Sequence, residues 1–238
     1  MENQLQNNAV LYSKKAMIPL GELFTKCFEV YKNKALVMGA LMLLSFFTYV
    51  VAGMVLVPMW LVVFFGGGRI TLVLTFALVF LVLFLIILIV NILIQLSLLF
   101  AIKEQNVPLD IKTVKGLLSA SWSRIGSFVW VTFLKGIIVM VGFILFIIPG
   151  IIFSIWFSLS SMVFIFENKK GYGALQGSKD LVKGYWWPVF GRFLVLGFIA
   201  MLFTLIPGIG NVISMLIVAP FCMVYMYTIY EDLKRVKA

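Results

Sequence analysis

Histidine is absent from this 238-residue chain, which also has only two cysteines and nine acidic residues. Without histidine the chain lacks the commonest general base and metal ligand, which excludes Ser-His-Asp, Cys-His and His-rich metal chemistry. Cys27 and Cys222 are isolated and have no metal-binding spacing. No phosphate-binding loop, dinucleotide fingerprint or catalytic signature is present. The sequence therefore predicts no catalytic residue, no metal and no cofactor.

Apolar residues make up most of what is there. The chain is 63% hydrophobic and 12% charged, which does not fit a water-soluble globule. Its apolar runs exceed the roughly 18 residues that cross a bilayer. An unpaired backbone group in hydrocarbon costs several kcal/mol, so membrane spans are helices or closed barrels. The runs are continuous rather than alternating, which predicts an all-α protein.

Most charged residues lie in four parts of the chain, which hold all nine acidic residues and sixteen of the nineteen Lys and Arg. These segments are 1–34, 102–125, 167–185 and 231–238. Each gap between them holds two apolar runs, so six spans are predicted. Basic residues gather on the cytoplasmic side of a membrane. Both termini are therefore predicted in the cytoplasm, with the chain in the cytoplasmic (inner) membrane. The net charge of +10 is attributed to this orientation rather than to nucleic acid, and attraction to anionic membrane lipids is a further effect.

Short turns are predicted on the opposite side of the membrane. The first is the glycine-rich stretch 66–69. The other two share the sequence Ile-Pro-Gly-Ile, with Pro149 and Gly150 in one turn and Pro207 and Gly208 in the next. Proline fixes φ and glycine relieves steric crowding where a chain reverses, so both residues favour a turn.

An amphipathic segment precedes each predicted pair of spans. Residues 20–34, 107–125 and 173–185 have apolar positions three or four apart, which predicts helices that lie on the membrane surface. Together with the recurring turn, this predicts a six-span bundle of three repeated units, each a surface helix plus a transmembrane hairpin. Independent use of a common turn is the alternative. The predicted organisation is a polar cytoplasmic tail, 1–19, and one membrane domain, 20–238, with units of about 20–102, 103–167 and 168–238.

Residues of about 100–238 resemble a known family. The residues that carry the resemblance are Pro149, Gly150, Ile151, Ile152, Phe153, Trp156, Phe157, Glu167, Gly171, Gly173, Ala174, Leu175, Ser178, Leu181, Val182, Gly184 and Trp186. This pattern resembles the membrane domain of bacterial glycerophosphoryl diester phosphodiesterases and of related stand-alone integral membrane proteins of unknown function. The resemblance implies a polytopic helical domain. In that family the phosphodiesterase activity belongs to a separate soluble barrel that uses histidine, so the resemblance implies no enzymatic activity for this chain.

Two basic residues lie inside predicted spans. Lys135 precedes the proline of its turn by 14 residues and Arg192 by 15, which places each about 21 Å from the outer turn. A charge within a span indicates a functional site, here one that contacts a lipid phosphate or a substrate anion. The alternative is that the long side chain extends to the interface. No acid lies within a predicted span, so neither residue is predicted to pair with an acid inside the spans.

Two sets of polar residues have helical spacing within predicted spans. Asn91 and Gln95 share one face of the second span, and Ser154, Ser158 and Ser161 share one face of the fourth. Such residues hydrogen-bond to neighbouring helices, or they line a polar cavity. Both interpretations remain open from the sequence.

The sequence favours a non-enzymatic integral membrane protein that organises, binds or moves lipid-like or amphiphilic molecules. Its partners are membrane lipids, with a membrane protein partner or a second copy of the chain as further candidates. The alternatives are a small transporter or channel, which needs a continuous polar path, and an accessory subunit of a membrane complex. An enzyme acting on membrane lipids would need convergent acid, base or metal ligands, and the sequence has no such cluster.

Overall fold

The computed structural model describes residues 16–67, 69–104, 111–206 and 210–237, and these residues form helices and no β-strand. The helices are α1 (Leu20–Phe65), α2 (Ile70–Lys103), α3 (Ile111–Leu145), α4 (Ile147–Trp156), α5 (Ser160–Phe166), α6 (Tyr172–Val182), α7 (Trp186–Thr204) and α8 (Gly210–Lys237). Six helical stretches are long and apolar enough to cross a membrane, α4 and α5 together making one of them. This confirms the prediction of an all-α chain with six apolar helices, compatible with an integral membrane protein.

Some sequence-based predictions concern residues outside the ranges that the structure describes. Pro207 and Gly208 of the third predicted turn, and residues 1–15 of the predicted polar tail, lie outside the described residues. The helices of the three predicted units differ in where they begin and end. The division of the chain into three repeated units therefore stays a prediction.

The first predicted surface segment is part of a longer helix. Residues 20–34 continue without a break into the first span, as the first third of α1. Their apolar face packs against the last helix. The ring centroids of Phe24 and Tyr225 lie 5.3 Å apart, and the Cys27 thiol donates a hydrogen bond to the Thr228 hydroxyl. Part of the apolar stripe is therefore buried by α8, since Leu23 and Cys27 are 0% exposed whereas Leu20 and Phe28 are 42% and 62% exposed. The prediction of a separate helix on the membrane surface is wrong here, because α1 is unbroken.

The second and third segments differ from each other. The second is also continuous with its span, since α3 is unbroken from Ile111 to Leu145. The third forms a separate helix, α6, and the chain turns after it at Gly184. This glycine has a φ of +90°, a left-handed conformation that side chains with a Cβ disfavour. Only the third predicted segment is therefore a distinct helix.

The reversal between α3 and α4 lies at Phe146, three residues before Pro149. Phe146 is extended, with φ −162° and ψ 154°. Pro149 lies in the first turn of α4, where its missing N–H is not needed for a helical hydrogen bond. Gly150 is buried against the Phe143 ring, where a Cβ would lie 2.5 Å from ring atoms. Pro149 and Gly150 therefore begin the next helix instead of forming the predicted turn.

Three lysines join helix ends at one end of the bundle. Lys34 donates hydrogen bonds of 2.6 and 2.7 Å to carbonyls in the last turn of α2. Lys103 donates to a carbonyl near the end of α5 at 3.0 Å, and Lys237 donates to a carbonyl just after α6 at 2.8 Å. A cation at a helix C-terminus satisfies free carbonyls and complements the helix dipole. These bonds join the segment 1–34 to the start of 102–125 and the segment 231–238 to 167–185, and Lys103 reaches Ile165, just before 167–185.

The fourth span is broken into two helices. α4 ends at Trp156 and α5 begins at Ser160. The Ser178 hydroxyl of α6 accepts a hydrogen bond from the Leu159 N–H at 3.1 Å and donates one to the Trp156 carbonyl at 2.7 Å. A break in an apolar helix is tolerated where the freed backbone groups find partners inside the protein. Ser178 is such a partner, which fixes α6 against the break.

Candidate functional site

Lys135 lies on α3, eleven residues before the reversal at Phe146. That separation is about 16 Å along the helix, close to the middle of a hydrocarbon core about 30 Å thick. The sequence-based distance of about 21 Å is too long because it assumes a turn at Pro149. Lys135 is half-buried, and among the described residues its ammonium group has no hydrogen-bond or ion-pair partner.

Lys135 lines a cavity of about 710 Å³, within the size range of small-molecule sites. The cavity is bounded by Thr132, Lys135, Gly136, Val139, Met140 and Phe143 of α3, by Ser154 and Ile155 of α4, by Ser158 in the break, by Phe193 of α7 and by Met226 of α8. Most of these side chains are apolar. The polar side-chain atoms are the Lys135 ammonium and the Thr132 hydroxyl of α3, and the Ser154 and Ser158 hydroxyls of the broken fourth span.

The serine hydroxyls of the cavity can accept further hydrogen bonds. Ser154 donates to the Ile151 carbonyl at 2.7 Å, and Ser158 donates to the Ile155 carbonyl at 2.8 Å. A hydroxyl that donates its hydrogen keeps two lone pairs, while the Lys135 ammonium has three donors. The cavity therefore combines one positive charge, polar groups beside it and an apolar wall. This combination suits a ligand with an anionic group and an apolar chain.

The other polar residues of interest lie elsewhere. Ser161 belongs to α5, beyond the break, and does not line the cavity. Asn91 accepts a hydrogen bond from Ser45 at 3.0 Å, which joins α2 to α1. Gln95 is exposed. The predicted polar residues of the second and fourth spans therefore do not form one cluster, and only Ser154 and Ser158 lie beside the lysine.

Arg192 has a different environment from Lys135. Its guanidinium lies 3.6 Å from the Asp232 carboxylate, and the two side chains are 7% and 0% exposed. It also donates a hydrogen bond to the Ile18 carbonyl. The sequence analysis places Asp232 outside the spans, in the charged segment 231–238, but α8 continues past residue 230 and carries Asp232 inward to Arg192. Buried in this way, Arg192 is not available to a lipid phosphate.

The same acid ties down the segment that precedes α1. Asp232 accepts hydrogen bonds from the Ile18 N–H at 3.0 Å and from Arg235 at 2.8 Å. Arg235 also donates to the Ala16 carbonyl at 2.9 Å. Sequence reasoning missed this cluster because its members lie as many as 219 residues apart. This buried carboxylate, with several donors around it that include two guanidinium groups, has a structural role: it holds α7, α8 and residues 16–18 together.

Glu167 joins the end of α5 to the last helix. Its carboxylate lies 2.9 Å from Lys169 and 3.0 Å from Lys234, and it accepts a hydrogen bond from Tyr230 at 3.1 Å. Burial alone would raise the pKa of Glu167, but these hydrogen bonds and the Lys234 charge outweigh it and hold the pKa below its ordinary value. The carboxylate is therefore ionised at neutral pH, and its partners assign it to the junction of the two helices.

Comparison of the chain with protein-family models, curated proteins and solved structures gives no match. The resemblance to the membrane domain of the phosphodiesterase family, and the absence of enzymatic activity that it implies, therefore stay predictions. Within the described ranges, no group of three or more Cys, Asp or Glu side chains could hold a metal ion. The cavity around Lys135 is the candidate ligand site.

Proposed function

We propose that this chain is a non-enzymatic, multi-pass protein of the cytoplasmic membrane that binds an anionic amphiphile in the cavity around Lys135. The observation that carries the proposal is a lysine ammonium without a partner among the described residues, half-buried in an apolar cavity. A charge inside a membrane is costly to leave unpaired, and such residues mark ligand pathways. A carboxylate or phosphate on the ligand offsets that cost.

The position of the cavity explains why the ligand has an apolar part. Thr132, Gly136, Met140 and Phe143 of the cavity wall are exposed on the side of the bundle. A surface at this depth faces acyl chains, so a ligand enters sideways from the bilayer. The anionic group then pairs with Lys135, and the chain of the ligand lies along the apolar side chains.

Movement of the ligand across the membrane is the second candidate function. It is favoured by the break in the fourth span, because Ser158 lies in the break and also lines the cavity. Interrupted helices form ligand sites near the bilayer midplane in many transporters. The break is therefore placed where a change in the angle between α4 and α5 would alter the shape of the cavity.

Both termini are proposed to lie in the cytoplasm. The support is that hydrogen bonds of Lys34, Lys103 and Lys237 join the charged segments at one end, whereas Arg69 lies in the loop between α1 and α2. We expect periplasmic reporters fused after residues 67, 146 and 208 to be active, and fusions after residue 104 to be inactive. Activity of cytoplasmic reporters at two of the first three sites would contradict the orientation.

Replacement of Lys135 by methionine is expected to weaken the binding of oleate or dodecyl phosphate about tenfold. The loss corresponds to about 1.4 kcal/mol, near the low end for a hydrogen bond to a charged group. Methionine keeps most of the apolar stem, so packing changes little. Titration calorimetry of the purified protein in a neutral detergent measures the affinities.

The matched control is Lys115→Met, which removes an exposed lysine from the same helix. It should leave the affinity for oleate unchanged, and Lys135→Arg should retain most of it because the charge is kept. Dodecanol, which has no charge, should bind wild type and Lys135→Met equally. Equal oleate affinities for wild type and Lys135→Met would show that Lys135 does not bind the anionic group.

A further inference from the structure

A second cavity, of about 590 Å³, lies between α4 and α7. One wall is formed by Ile148, Ile151, Ile152 and Trp156, and the other by Trp186, Trp187 and Phe190. We call it the tryptophan groove. It shares no lining residue with the cavity around Lys135, because α4 presents a different face to each. From Trp156 the groove extends about 12 Å along α4 to Ile148.

Three lysines surround the Trp156 end of the tryptophan groove. Lys183 lines it directly, and the Lys179 ammonium lies 4.7 Å from the centroid of the Trp156 ring. Lys237 lies beside them and donates a hydrogen bond to the Lys183 carbonyl at 2.8 Å. Between Lys179 and Lys183 the sequence has one acid, Asp180. This end of the groove therefore has an excess of positive charge, while the rest of its wall is apolar.

We propose that the tryptophan groove binds one anionic phospholipid, with its phosphate at the lysines and an acyl chain along α4. Basic residues near a membrane surface attract anionic lipids with about fivefold preference each, or about 1 kcal/mol. Tryptophan side chains favour the boundary between headgroups and acyl chains, and Trp186 and Trp187 begin α7 directly after the charged segment 167–185. The proposal does not depend on a ligand at Lys135, because the two sites have separate walls.

The charge is tested by native mass spectrometry of the full chain in a neutral detergent with added phosphatidylglycerol or phosphatidylcholine. We expect wild type to retain phosphatidylglycerol preferentially and Lys183→Met to retain it about fivefold less. Lys183 is exposed, so the variant should fold. Lys170→Met is the control, since Lys170 is also exposed but does not line the groove. Lys183→Met should cause the same loss of about fivefold when it is combined with Lys135→Met, because Lys183 does not line the cavity around Lys135, and this separates the groove from the proposed function.

The acyl chain is tested by filling the groove. Ile148→Trp should reduce retention of both lipids, whereas Ile147→Trp should not, because Ile147 lies outside the groove although the two isoleucines are 72% and 70% exposed. Equal effects of the two tryptophans would overturn the proposal. Equal retention of both lipids by wild type would also overturn it, as would complete displacement of phosphatidylglycerol by inorganic phosphate, which would indicate a site for free phosphate.

Discussion

Replacement of Asp232 by alanine is expected to destabilise the folded bundle by about 3–5 kcal/mol, the usual cost of leaving a buried charge without its partner. Arg192 would remain buried, since its side chain is only 7% exposed. The Ile18 N–H would lose its acceptor at the same time. The free energy of unfolding, measured by titration with a denaturing detergent in mixed micelles, should fall by this amount.

Two further variants distinguish the cost of an unpaired buried charge from the cost of removing any charged side chain. Arg192→Met combined with Asp232→Leu should recover part of the loss, because no unpaired charge is left inside. Glu22→Ala breaks the exposed ion pair with Lys26, whose charged atoms are 3.7 Å apart, and should cost less than about 1 kcal/mol. An Asp232→Ala protein as stable as Glu22→Ala would show that Arg192 finds water or lipid instead.

Replacement of Gly142 by leucine is expected to cost about 3 kcal/mol, at the upper end for overpacking a tight contact. Gly142 is buried where α3 crosses α4. A Cβ at this position would lie 3.0 Å from the Gly150 Cα and 2.7 Å from the Phe153 ring. A backbone atom cannot move aside as a side chain can, so the two helices would have to separate. Small residues at a helix crossing permit this close approach.

Gly126→Leu is the matched control for this variant. Gly126 is exposed on the same helix, and a Cβ added there would meet no atom within 4 Å, so leucine should change stability little. Thermal unfolding in detergent compares the two variants. Since α4 carries Ser154 in the wall of the cavity, Gly142→Leu should also weaken oleate binding. Equal stability of the two variants would contradict close contact between α3 and α4.

Helix limits were predicted less well than helix number. The residues 20–34 have a clear apolar face, and the sequence cannot show whether lipid or protein covers it. In the structure α8 covers part of it, through Phe24 and Tyr225, and the segment continues without a break into its span. The break after Trp156 was also missed, because the apolar run is continuous there and the stabilising partner, Ser178, lies 22 residues away.

The clearest difference between the sequence-based prediction and the structure concerns Lys135 and Arg192, which the sequence predicts to be equivalent. Their distances from the following prolines are nearly equal, which predicts the same role for both. The structure pairs Arg192 with Asp232 and places Lys135 in a cavity. Distance along one helix determines depth, whereas the identity of the neighbours depends on which helices pack together.

The sequence by itself determined that the chain has six apolar helices, and it located the charged segments. These are local properties, because the length of an apolar run and the cost of burying a charge depend on consecutive residues. Only the tertiary structure decided which charge is neutralised, which serines face a lysine and where a span is interrupted. Those features depend on contacts such as Arg192 with Asp232, made by side chains far apart in the chain, and no periodicity within one segment records them.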